Sequence, residues 1–184
     1  MSQYNTQHAL RFIYFMETLD LVNEHYQAID VVSIFENIIN NSKYLVKNHG
    51  SKKCHICTLK DRDVHGNTRS AVPNSILESI HELKSKGYIK WNPVDRAKVP
   101  TTWMTCYVYN IQPDRTKPNW EYFQCSHRCI NGSCIRDEHL CWESPKDNQG
   151  RGKRICSMKC KHEGCGKCLC DCQRIHNPPC VIEE

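Results

Sequence analysis

Residues 120–151 read WEYFQCSHRCINGSCIRDEHLCWESPKDNQGR, and within them Cys129, Cys134 and His139 fall at equal four-residue gaps. Thiolate and imidazole are zinc donors, and a loop so short has few other means of becoming ordered. Three donors leave a tetrahedral ion one short. Upstream, residues 120–123 read as a strand that leads into Cys125-Ser126-His127. Downstream, Ser144 suits an N-cap, Pro145 the first helical position and Asp147 the third, so Asn148 falls in the first turn of a helix. The order is strand, zinc loop, helix. His127 leaves the strand and Asn148 the helix, and the expectation is that they bracket a small cleft.

The rest of the composition agrees with metal as the staple. The chain has fourteen cysteines and ten histidines in 184 residues, and eleven of the cysteines lie between Cys125 and Cys180. That segment has little apolar material for a core of its own. A secreted disulfide scaffold should open on a charged and then apolar leader, but MSQYNTQHALRF opens polar. No apolar run reaches the length of a membrane span. Disulfides would leave the interleaved histidines unexplained, whereas metal ligation in a reducing intracellular compartment, the nucleus in a eukaryote, explains them. Thiolate ligation also corrects the charge. Each Cys3His site subtracts one, so three would take the formal +5 to about +2. Net charge is then weak evidence for nucleic acid. Distribution says more: residues 145–176 hold eight Lys or Arg against three acids, either a nucleic-acid face or a solvated one.

The first fifty residues read helical. Phe12, Phe15, Met16 and Leu19 form one stripe, and Val31, Ile34, Phe35 and Ile38 another behind a cap at Asp30. A polar stretch with His49, Cys54, Cys57 and His65 follows, in which Cys54-x-x-Cys57 is either half of a fourth zinc site or two unligated thiols. A capping box at Ser75 and Glu78 predicts a third helix that buries Ile76, Leu77, Ile80 and Leu83 and stops at Gly87. Extended runs at 88–91 and 103–111 around NPVDRAKVP suggest a basic-tipped hairpin with Arg96 and Lys98. Helices plus such a hairpin predict a winged-helix-like N-terminal domain over 1–100. Residues 101–184 form the zinc-binding domain, with PDRTKP at 113–118 as a linker near the boundary.

A neutral imidazole at His127 suits the removal of a proton from water near neutral pH. The carboxamide oxygen of Asn148 is a hard ligand suited to magnesium, which retains most of its waters. The plainer alternatives are that Asn148 caps or faces solvent and that His127 is another zinc ligand.

Residues 126–151 follow the pattern Ser-His-x-Cys-x4-Cys-x4-His-Leu-Cys-Trp-Glu-Ser-x-x-Asp-Asn-x-Gly-Arg without a gap. This strongly resembles the motif of the His-Cys box homing endonucleases, members of the His-Me (ββα-metal) finger group. The resemblance implies an α+β, zinc-stapled ββα-metal nuclease core that cleaves double-stranded DNA site-specifically with magnesium. It implies that His127 is the general base and Asn148 the protein ligand of the catalytic magnesium. It also implies that Cys129, Cys134 and His139 hold a structural zinc, completed by an upstream strand cysteine followed by tyrosine. Cys106-Tyr107 is the preferred match, with Cys125 competing, while Cys141 and Trp142 match packing positions.

The family's second zinc site resembles Cys156, Cys160, His162 and Cys165, and Cys168, Cys172, His176 and Cys180 would make a third. A nested pairing of the same eight residues remains open, and Cys170 is spare. Three departures stand out. Asn119, not arginine, precedes Trp120-Glu121-Tyr122, so Arg115 or Lys117 would have to contact phosphate. The stretch from Cys106 to His127 is short, and little follows Cys180. The expected partner is double-stranded DNA rather than a membrane; a homodimer would have to use a surface such as the N-terminal helices. The competing reading is a non-catalytic zinc-stabilised DNA-binding protein, which gives no reason for both His127 and Asn148.

Overall fold

The computed structural model describes residues 6–41, 45–47, 54–57, 67–89, 98–129 and 132–152. Arg96, His49, His65 and every ligand proposed for the second and third zinc sites lie outside those residues. What is described is a mixed α+β protein. Helices α1 (His8–His25), α2 (Val31–Asn41), α3 (Asn74–Ser85), α4 (Thr101–Val108) and α5 (Pro145–Gly152) accompany three two-stranded antiparallel ribbons. The ribbons pair β1 (Leu45–Lys47) with β2 (Cys54–Ile56), β3 (Arg69–Ala71) with β4 (Lys98–Pro100), and β5 (Gln124–His127) with β6 (Leu140–Glu143).

Local chemistry accounts for the helix ends. The Asp30 carboxylate accepts from the Ser33 backbone N–H at 3.0 Å and from its hydroxyl at 2.6 Å, which caps α2 as expected. The Ser33 bonds hold that carboxyl below its usual range. Helix α3 begins one residue before the predicted box, behind Pro73, and no side chain caps it. Its other end is as expected. Gly87 has φ +81°, and the bonds Gly87 N–H to Lys84 O and Tyr88 N–H to Leu83 O close a Schellman turn. Asn110, at φ 54°, ends α4 similarly, with Ile111 N–H donating to Cys106 O at 2.8 Å.

Two strand expectations are overturned. Residues 103–108 belong to α4, and β4 pairs instead with β3, which precedes α3, so Lys98 lies opposite Ala71. The basic-tipped hairpin is therefore not formed by the segments named for it. The cause is burial on all sides: every residue from Thr101 to Tyr107 is buried. Such a helix shows no amphipathic period, and its aromatic and β-branched residues read as strand. Likewise Trp120–Tyr122 is a 3-10 turn, and the strand begins at Gln124.

Helix α1 is the pillar of the core. Phe12 packs on Trp103 of α4 (centroids 5.7 Å) and on Trp142 of β6 (4.8 Å). Phe15 stacks on Phe35 of α2 (6.3 Å), which meets Tyr107 edge-on (6.0 Å). One continuous apolar cluster runs from Ala9 through Ile80 and Met104 to Leu140 and Trp142. This cluster holds residues from both sides of position 100, and the β5–β6 ribbon packs on α1 through Trp142 and Phe12. Among the described residues, no helix is long and apolar enough to cross a membrane.

Candidate metal centre and the strand–helix unit beside it

The β5–β6 register, Gln124 opposite Glu143 to His127 opposite Leu140, brings the two ends of the metal loop together. Arg128 N–H donates to His139 O at 2.7 Å and closes the loop. A second clamp comes from β2: Cys57 N–H donates to Ser133 O and Ile135 N–H to His55 O, both at 2.8 Å. These two bonds flank Cys134 and fix it against the strand that carries Cys54.

Cys54, Cys129, Cys134 and His139 converge there, with all four donor atoms within 4.8 Å of one another. His139 Nδ1 lies 3.5 Å from Cys134 Sγ and 3.6 Å from Cys54 Sγ. Bonds of about 2.3 Å to sulfur and 2.0 Å to nitrogen at tetrahedral angles require roughly 3.6 Å between such donors. The donor set therefore fits a structural Cys3His zinc. Cys54, Cys134 and His139 are fully buried. Donation from Cys129 and contact with His139 hold the Cys134 thiol down at about 4, while burial and then the Cys134 charge push Cys54 up to about 11. Crowded buried thiols resist a second negative charge, and a divalent cation relieves that resistance.

Three of the expected ligands of this site are thus brought together, and the fourth donor grouped with them is Cys54 rather than Cys106 or Cys125. Cys106 is fully buried in the apolar core beside Cys125, Sγ to Sγ 3.6 Å. Among the described residues Cys54 and Cys57 do not share a site of their own, because Cys57 packs into the main core. The missed signal was the CxxC itself. Residues three apart on an extended chain face opposite ways, so one cysteine reaches the loop while the other reaches the core. All seven cysteines among the described residues are unbridged.

Helix α5 is capped as the sequence predicts, with Asp147 N–H donating to Ser144 Oγ at 3.1 Å and the Ser144 hydroxyl donating to Asp147 Oδ2 at 2.6 Å. Its first turn delivers Asn148 to β5. Asn148 Oδ1 accepts from the Ser126 hydroxyl at 2.9 Å, and Nδ2 donates to Gln124 Oε1 at 2.7 Å. Asn148 is therefore neither a cap nor a solvent-facing side chain. Strand alternation sets Gln124 and Ser126 on one face of β5 and Cys125 and His127 on the other. The helix is anchored to the residue beside His127, and Asn148 meets the face of β5 that carries Gln124 and Ser126, opposite the face of His127. His127 is not one of the four grouped metal donors.

The last turn of α5 is held by a pair the sequence reading gave no role. Arg151 donates to Glu143 through Nε at 2.7 Å and through a terminal nitrogen at 2.6 Å, with side chains 2% and 5% exposed. Removing one partner strands a buried charge, at a cost of roughly 3–5 kcal/mol. Arg151→Ala is expected to destabilise by that amount, measured by urea unfolding of the zinc-loaded chain. Joint replacement of Arg151 and Glu143 by Met and Leu should recover most of it. A loss within about 0.5 kcal/mol for the single variant, the range of an ordinary surface change, would show the pair to be unimportant.

Arg115 and Lys117, the suggested phosphate contacts, are exposed, and Arg115 lies over the Trp120 ring at 5.7 Å. No family model, curated protein or solved structure matches the chain.

Proposed function

We propose that the chain is a magnesium-dependent endonuclease acting on double-stranded DNA, with His127 as the general base and Asn148 as the protein ligand of the catalytic ion. The observation that carries this reading is the continuous unit β5, metal loop, β6, α5, in which Asn148 is held against Ser126, the neighbour of His127. The Asn148 carboxamide oxygen has two lone pairs, and Ser126 takes one, so the second is open to a hard cation. Gln124 fixes the amide nitrogen and so orients that oxygen. A magnesium ion, when bound, would neutralise charge on the scissile phosphate and the departing 3′ oxygen. The tasks of the chain are to hold Asn148, to present an imidazole at the end of β5, and to position the DNA.

One observation favours the rival reading of a binding-only protein: both ends of the Asn148 carboxamide already have protein partners, and His127 falls on the other face of the strand. The test is to incubate the zinc-loaded protein with a randomised plasmid library and magnesium and then sequence the ends. Discrete, magnesium-dependent ends support the enzyme. Retention of DNA with no ends in any divalent ion supports the binding-only protein.

A further inference from the structure

We propose that Cys106 and Cys125 form an oxidant-sensitive dithiol that a peroxide closes to a disulfide, tying α4 to β5. Both were candidates for the zinc, and both are left over once Cys54 completes the donor set. Yet their sulfurs stand 3.6 Å apart, and neither is bridged. A disulfide needs about 2.0 Å, so the sulfurs must approach by roughly 1.6 Å. Their access differs: Cys106 is fully buried, while Cys125 is partly exposed at the edge of the core. Cys125 is accordingly the thiol that meets the oxidant, and Cys106 the one that resolves it.

The chemistry balances with the peroxide as the named oxidant. The Cys125 sulfur attacks one peroxide oxygen, the O–O bond breaks, and a sulfenic acid and one water result. The Cys106 sulfur then attacks the sulfenic sulfur, the S–OH bond breaks, and a second water leaves with the thiol proton. Two thiols are oxidised by two electrons, and one hydrogen peroxide is reduced to two waters. The product joins the middle of α4 to the strand position between Gln124 and Ser126, the two side chains that hold Asn148. This inference stands whether or not the chain cleaves DNA.

The experiment titrates the full-length, zinc-loaded chain with hydrogen peroxide, alkylates the remaining thiols, and maps digested peptides by mass spectrometry. The expected result is a linked Cys106–Cys125 peptide, two hydrogen masses lighter than its parts, formed before zinc is released. The thermal midpoint should rise by several degrees and fall back on reduction. In Cys125→Ser, a variant at a partly exposed position, the linked peptide should vanish while zinc content and fold persist. Three results would overturn the proposal: Cys125 passing to sulfinic acid unlinked, zinc released from Cys129 or Cys134 before any link forms, or Cys106 pairing with another cysteine in the wild-type chain.

Discussion

Cys54→Ser should cost the chain one zinc ion and the order of residues 132–139, whereas Cys106→Ser should leave the zinc count unchanged. The four donors are Cys54, Cys129, Cys134 and His139, and the loop among them has few apolar groups of its own. Structural zinc sites contribute about 10–16 kcal/mol in small peptides at neutral pH, comparable with or above the 5–15 kcal/mol by which a whole domain is stable. A site that loses one of four ligands therefore loses more than the loop can replace. Cys106→Ser places a hydroxyl in a fully buried apolar position, at a cost of about 1–3 kcal/mol, but removes no donor from the cluster. The measurement is zinc per chain by native mass spectrometry, with near-ultraviolet circular dichroism of Trp142 and its neighbours. Because every ligand must be deprotonated, zinc should also be lost as pH falls. Zinc retained in Cys54→Ser but lost from Cys106→Ser would reverse the ligand assignment.

How much of this could be read beforehand depends on how local the cause was. The Asp30 cap, the Gly87 stop and the Ser144–Asp147 cap are short-range hydrogen bonds between neighbours, and the residue types alone announce them. The Cys129, Cys134 and His139 loop was legible for the same reason. Cys54 was not, because it reaches the cluster across eighty-five residues to His139, through a ribbon whose placement the sequence does not state. Helix α4 was misread because amphipathic periodicity requires one wet face, and this helix has none. The Glu143–Arg151 pair lay inside a recognised motif but carries structure rather than chemistry, so a search for donors and bases passed over it.

Under the proposed endonuclease function, His127→Ala and Asn148→Ala should each abolish most cleavage, yet for different reasons that the readouts separate. If His127 takes the proton from the attacking water, its loss lowers turnover by roughly two to four orders of magnitude and leaves zinc content and DNA affinity nearly unchanged. His127 ends β5 outside the metal group, so the variant removes none of the four donors. Activity of the parent should rise with pH as an imidazole passes to its neutral form, and that limb should disappear with His127. Asn148→Ala removes the carboxamide that Gln124 and Ser126 orient, and with it the hard oxygen proposed to hold the ion. Asn148→Asp should recover part of the activity, because a carboxylate still offers such an oxygen and still accepts from the Ser126 hydroxyl. A site with one protein ligand and otherwise water and phosphate selects weakly among oxygen-loving ions, so manganese, and calcium to a lesser degree, should replace magnesium. Each variant is assayed on a mapped site with each ion across pH, beside zinc content and filter-binding of the same DNA. Full activity in EDTA, or an Asn148→Ala protein as fast as the parent, sinks the one-ion mechanism. A His127→Ala protein that unfolds as Cys54→Ser does would make His127 a structural residue, and the binding-only reading would then stand.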